Sequence, residues 1–135
     1  MKILMQTVDE CRVLKGDTGE FVSQISNGHV FYVGFDVNDM HIPADELVTK
    51  AEQWIISNNK NKEMMLLSQF TLLAHFKKTK PSFHHAAPAD KAFILFAKLF
   101  ERLKNQPFRV EKGIFQTFLY IQCISTNLCS IVVDL

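Results

Sequence analysis

Ser68, Gln69 and Thr71 sit together at the centre of an otherwise apolar run, Glu63-Met64-Met65-Leu66-Leu67-Ser68-Gln69-Phe70-Thr71-Leu72-Leu73. Two hydroxyls and an amide can bind and orient a polar ligand by hydrogen bonding. Buried, they each need a partner once water is removed. Read as a strand, the run turns Ser68, Phe70 and Leu72 one way and Gln69, Thr71 and Leu73 the other. Two readings are open: a sheet edge whose polar groups bond neighbouring backbone, or the floor of a binding site.

A second stretch with chemistry follows at once: His75-Phe76-Lys77-Lys78-Thr79-Lys80-Pro81-Ser82-Phe83-His84-His85. Three lysines in four residues make the densest positive patch of the chain. As a solvated surface loop they need no ligand. Interleaved with Phe76, Phe83 and histidines, they suit a phosphate backbone with stacking on an exposed base. A polar strand leading into a cationic loop would receive a substrate that is part small molecule and part nucleic acid.

Other chemistry finds less support. His84 and His85 are adjacent and point to opposite faces if extended, His75 is remote along the loop, and HExxH spacing is absent, so no metal site is implied. Cys11, Cys123 and Cys129 are odd in number and lack CxxC spacing, which disfavours structural disulfides and a thiolate zinc site and fits a reducing cytoplasm. Cys123 falls in an apolar strand, where thiols are commonly inert. Nucleophile-elbow, phosphate-loop and dinucleotide fingerprints are absent. The chain has 135 residues, 47% hydrophobic and 21% charged, with net charge +1. That predicts one domain over 1–135 and makes any nucleic-acid site a matter of local clustering. No apolar run approaches the roughly 20 residues of a membrane span, and no signal peptide is evident at the amino terminus.

The elements that must position these residues read as follows. A strand over 2–13 turns at Lys15–Gly19 and returns over Glu20–Ile25; Ser26-Asn27-Gly28 reads as a second turn, and His29–Asp36 as a central strand. Turns this short predict an antiparallel meander rather than crossovers. Pro43-Ala44-Asp45-Glu46 opens a helix with Leu47, Ala51, Trp54 and Ile55 on one stripe. Pro88-Ala89-Asp90 opens a second, with Phe93, Phe96, Ala97, Phe100 and Leu103 inward, a stripe widened by Leu95 and Leu99; Asn105-Gln106-Pro107 stops it. Phe108–Glu111, Ile114–Ile124 and Leu128–Asp134 are strand-like, the last two parted by a turn at Ser125-Thr126-Asn127. The expected class is α+β: a largely antiparallel sheet system of about seven strands packed with two helices.

Ser68-Gln69-Phe70-Thr71-Leu72, the basic loop, Pro81-Ser82-Phe83 and Ala86-Ala87-Pro88 together resemble the D-aminoacyl-tRNA (D-tyrosyl-tRNA) deacylase family, which carries S-Q-x-T-L, a Lys/Arg loop, P-S-F and A-A-P in this order. Gly113-x-Phe115 and the terminal Val133-Asp134 also match without gaps. The resemblance implies a cytoplasmic homodimeric ester hydrolase, with its site near the subunit interface, that frees a D-amino acid from tRNA without metal or organic cofactor. It acts by orientation and electrostatic stabilisation from backbone amides and placed side chains. By the same resemblance Ser68, Gln69, Phe70 and Thr71 surround the ester, with Thr71 the candidate nucleophile or water-orienting group. Phe115, Leu119, Asn127 and Leu128 shape the pocket, and Lys77, Lys78, Lys80 and Phe83 hold the tRNA.

Three departures qualify the resemblance. Where the family has N-x-G-P-x-T, whose cis Gly-Pro excludes L-amino acids, this chain reads Ser125-Thr126-Asn127-Leu128-Cys129-Ser130. A cis bond costs roughly 2.5–4 kcal/mol before leucine against about 0.5–1 before proline, so the gate is not built in the family's way. The family's Q-R-V, whose arginine braces that gate, reads Gln6-Thr7-Val8. The segment before Glu63 also lacks a strand. The chain is thus either a deacylase with altered chiral selection or a non-catalytic nucleic-acid-binding relative. The intact Ser-Gln-Phe-Thr block favours the enzyme.

Overall fold

In the computed structural model the chain forms strands β1 (Lys2–Lys15) and β2 (Phe21–Gly34), helix α1 (Ala44–Asn59), strands β3 (Glu63–Ser68), β4 (His75–Lys77) and β5 (Lys80–Ser82), helix α2 (Ala89–Leu103), and strands β6 (Val110–Lys112) and β7 (Leu119–Asp134). The structure describes all 135 residues except for the side chains at positions 126–129. Five strands form one sheet in the order β6-β3-β2-β1-β7, and β4 and β5 form a separate hairpin. The α+β class and the two helices are as expected, and among the described residues no helix is long and apolar enough to cross a membrane.

The meander expectation fails at Ser26-Asn27-Gly28. β2 runs straight through these residues, with Glu10 opposite Ser26 and Val8 opposite Gly28. Gly28 serves a close approach and not a reversal: a Cβ there would lie 2.0 Å from the carbonyl oxygen of Glu63 on β3. From Gly28 onward β2 pairs with β3 in parallel, and β3 pairs in parallel with β6. α1 and α2 are therefore crossover helices, and the sheet is mixed. Within this five-stranded sheet antiparallel pairing is confined to β1 with its neighbours β2 and β7.

Both helices start where proline and acids place them, with Pro43 and Pro88 at the caps and Asp45, Glu46 and Asp90 in the first turns. Leu47, Val48, Ala51 and Ile55 of α1 and Leu95, Phe96, Leu99 and Leu103 of α2 pack on Ile3, Phe31, Met64 and Leu66 of the sheet. Phe93 corrects the predicted inward face, because it is 53% exposed and stands edge-on to Phe115 at 5.3 Å. Across the outer helix–helix seam the Arg102 guanidinium donates to Thr49 Oγ1 at 2.6 Å and pairs with Asp45. Exposed pairs of this kind each contribute about 1 kcal/mol or less.

The opposite face of the sheet has no helix in its cluster. Val13, Cys11 and Ile25 from the far half of the β1–β2 hairpin pack on Met65 and Leu67 of β3. Ser23, in that far half, donates from its buried hydroxyl to the Lys112 carbonyl on β6 at 2.8 Å. β2 meets β3 only from Gly28, so this contact requires the hairpin arm to coil back over the sheet. At the α1–β3 junction buried His29 meets Asn59 Oδ1 through Nδ1 at 3.0 Å, while Asn59 Nδ2 donates to the Lys62 carbonyl at 2.6 Å. With the amide nitrogen committed to Lys62, the imidazole must be the donor to Asn59 Oδ1. Burial pushes the His29 pKa down and keeps the ring neutral.

Three further expectations change. The 63–73 run does not stay extended: β3 ends at Ser68 and Phe70–Leu73 form a 3₁₀ turn. The stretch expected as a strand from Ile114 becomes one only at Leu119. The basic loop is an exposed hairpin, with His75 opposite Ser82 and Lys77 opposite Lys80. The turn expected at Ser125-Thr126-Asn127, parting two strands, does not form: β7 runs unbroken through it from Leu119 to Asp134. The β1–β7 ladder slips on either side of Val8, in the part that faces this stretch.

Candidate active site

The change from strand to 3₁₀ turn after Ser68 builds the site. Gln69 still behaves as strand, extended and donating its N–H to the Val33 carbonyl at 2.9 Å. The chain then tightens: Leu72 donates to the Gln69 carbonyl and Ala74 to that of Thr71. Leu73 is driven into the core, where it lies against Gly34; a Cβ on Gly34 would come within 2.5 Å of the leucine and 2.8 Å of the Gln69 carbonyl oxygen. The absence of a side chain at the end of β2 thus lets the turn dock. Phe70 and Thr71 open the turn, where N–H groups have no acceptor within it.

These residues border a cavity of about 790 Å³. Ser68, Gln69 and Phe70 form one side, Tyr32 and Leu67 lie at its sheet end, and Phe96 and Phe115 close it from α2 and from the segment before β7. Gln116 and Thr117 add polar groups, Gln116 from a left-handed backbone (φ 53°) that non-glycine residues rarely adopt. Among the described residues no ionised side chain lines the cavity. Burial, and then the nearby Cys123 and Cys11, raise the Tyr32 phenol to about 12, so it too is neutral at pH 7. Such a cavity can bind and polarise by hydrogen bonding, and its lining supplies no proton donor or acceptor that titrates near neutrality.

The segment after the hairpin is tied beside β2, since Ala87 donates to Phe35, Val37 donates to His85, and Asp36 pairs with Ala86. This sets Phe83 in the cavity wall, with its ring edge-on to Phe70 at 5.3 Å, whereas the resemblance assigned it to tRNA. Lys77, Lys78 and Lys80 stand exposed on the adjoining hairpin. His75, ten residues before His85, lies against it with ring centroids 3.9 Å apart and the rings tilted at 39°. Among the described residues no cluster of histidine, cysteine or acidic side chains is arranged to hold a metal.

The structure brings together Ser68, Gln69, Phe70, Phe115 and Leu119. Thr71 is exposed and is not part of the cavity lining. The side chains of Asn127 and Leu128 lie outside the described residues. Sequence reasoning missed Tyr32 and Gln116. Tyr32 has no local signal, being one aromatic in the apolar strand segment HVFYVG, and Gln116 matters through a backbone angle that its residue type does not announce.

A mixed sheet with crossover helices thus closes an uncharged cavity beside a cationic hairpin. The chain belongs to the D-Tyr-tRNA(Tyr) deacylase family, whose model matches residues 4–134. It is 30% identical to a D-aminoacyl-tRNA deacylase of Dictyoglomus turgidum, over 99% of this chain and 92% of that protein. It is 31% identical to one of Kosmotoga olearia, over 99% and 97%. The solved structure of a c-Myc DNA Unwinding Element Binding Protein superposes with a TM-score of 0.81 at 25% identity, covering 99% of this chain and 98% of that one.

Proposed function

We propose that the chain hydrolyses the ester joining a D-amino acid to the terminal ribose of tRNA, releasing the amino acid and free tRNA as a proofreading step. The uncharged cavity bordered by Ser68, Gln69 and Phe70 carries this reading. An ester carbonyl entering it would meet the amide of Phe70, a donor suited to the oxyanion that forms when water attacks. Ser68 and Gln69 would orient the ester and water, and Phe115 and Leu119 would bound the amino-acid side chain. Thr71 is exposed and outside the cavity lining, so it is given no role as nucleophile here. Purified protein should release D-tyrosine from D-tyrosyl-tRNA above the buffer rate. A rate no higher than buffer on D-, L- and glycyl-tRNA alike would leave the second reading, a non-catalytic nucleic-acid binder, which the likeness to the DNA-unwinding-element protein favours. Comparing D- and L-charged tRNA tests the Asn127-Leu128 replacement: equal rates mean that the chiral gate is lost.

The hairpin lysines would hold the acceptor-end phosphates. Lys77→Ala combined with Lys78→Ala should weaken tRNA binding and flatten its salt dependence by about one charge per lysine. An unchanged salt slope would return the patch to plain solvated surface.

The working form is a homodimer. β7 is an edge strand of the sheet and exposes Ile124 at 60% and Val132 at 63%, a combination that an isolated domain normally avoids. The same strand carries Leu119 and Ile121 into the cavity wall, which supports a site near that interface. Sedimentation as a stable 15.5 kDa monomer would contradict the dimer. Its substrate places the work of the enzyme in the cytoplasm, where cell fractionation should recover it.

A further inference from the structure

Cys11 on β1 and Cys123 on β7 are direct cross-strand partners in the β1–β7 ladder. Their sulfurs lie 3.1 Å apart, and both are free thiols. Directly opposed residues on antiparallel strands have Cα atoms about 4.5 or 5.5 Å apart, depending on the type of pair, and both separations fall inside the range that a disulfide spans. Few backbone changes would therefore be needed to join them. The two thiols are also unequal. Cys11 is fully buried, whereas Cys123 is half-buried at the margin of the same cluster, beside the cavity residues Leu119 and Tyr32.

We propose that Cys11 and Cys123 form a reversible oxidation site, closed by peroxide into a cross-strand disulfide and reopened by a thiol reductant. Cys123 is the attacking sulfur, because it is the more accessible. Its pKa is lowered by the hydrogen bond with Cys11, while that same bond, followed by burial, pushes Cys11 up. The Cys123 thiolate attacks one peroxide oxygen, the O–O bond breaks, and the departing oxygen leaves as water after protonation. The sulfenic acid formed on Cys123 is then attacked by the Cys11 sulfur. The S–O bond breaks, the Cys11 proton goes to the leaving oxygen, and a second water departs. Two thiols and one peroxide thus give one disulfide and two waters. The bond would fix β7 to β1 next to the ladder slip at Val8 and Glu10, on the strand that also supplies the cavity wall.

The test is peptide mapping by mass spectrometry of the full chain after hydrogen peroxide, without and then with dithiothreitol. The expected result is loss of two hydrogens, located in a linked peptide that contains Cys11 and Cys123 and reversed by the reductant. Cys129→Ser should leave that peptide at full yield. Cys123→Ser, at the half-exposed position, removes one of the two sulfurs and should abolish that link without unfolding the chain. If Cys123→Ser fails to fold, blocking the accessible thiol of the native chain with N-ethylmaleimide before peroxide must have the same effect. A link through Cys129, oxygen addition without a link, or no change in mass would overturn the proposal.

Discussion

Phe70→Pro is expected to lower the turnover of D-tyrosyl-tRNA by about a hundredfold or more, far beyond the effect of Phe70→Ala. Proline at the first position of a 3₁₀ turn keeps the required φ and loses no bond of the turn, since that N–H has no acceptor within it. The preceding residue, Gln69, is already extended (φ −150°, ψ 94°) and so lies outside the α region that a following proline disfavours. The substitution therefore removes one amide donor and one ring. Alanine removes only the ring, with its edge-on contact to Phe83. Loss of a single oxyanion donor typically costs about 10²–10³ in turnover. The ring should cost a few-fold, mainly in KM. Equal kcat values for the proline and alanine variants, with thermal unfolding intact in both, would show that the Phe70 amide does not stabilise the reaction.

The second large effect concerns stability. Gly28→Ala should destabilise the fold by about 3 kcal/mol, the upper range for forcing an extra group into a packed interior. The new methyl would have to occupy space 2.0 Å from the Glu63 carbonyl oxygen and 2.6 Å from its carbon. Both are backbone atoms that cannot rotate aside, so β2 and β3 must part where their parallel ladder begins. Gly19→Ala is the control. Gly19 has φ +72° but no atom within 4 Å of a built Cβ, so its cost is conformational alone, about 1 kcal/mol. Urea denaturation of the two variants separates the mechanisms. A smaller loss at position 28 than at position 19 would mean that the strands yield without strain.

The two helices were readable because their signals are local: proline and acids at each start, and apolar side chains at helical spacing. The 68–88 block was readable because its residue types are unusual and closely ordered. What remained hidden depended on partners distant in the chain. Ser26-Asn27-Gly28 has the composition of a turn, and only the approach of Glu63, 35 positions beyond Gly28, turns its glycine into a packing residue. Phe70-Thr71-Leu72-Leu73 has the composition of a strand and forms a 3₁₀ turn because Gly34 leaves room beneath it. That difference decides the site. In an extended strand Thr71 would share a face with Gln69 and its hydroxyl would be the natural reactive group, whereas the turn leaves Thr71 exposed and outside the cavity lining. Phe83 is a similar case. A basic loop predicts a base-stacking ring, but backbone ties to Phe35 and Val37 draw the chain back and set the ring against Phe70.

The position of β7 bears on how the molecule is made. β1 lies between β2, its hairpin neighbour, and β7, with Lys2 paired to Asp134 across nearly the whole chain. The hairpin can form from contacts close in sequence, but the other edge of β1 must wait for a strand synthesised more than a hundred residues later. Pairings of such long range are slow, and they leave hydrogen-bonding edges open in the meantime. Until β7 docks, β1 is a bare edge in a nascent chain, and the proposed dimer surface, carried by β7 itself, does not yet exist. Assembly is thereby deferred until synthesis has reached the last strand of the sheet, so a truncated chain lacks both the finished sheet and the surface for pairing.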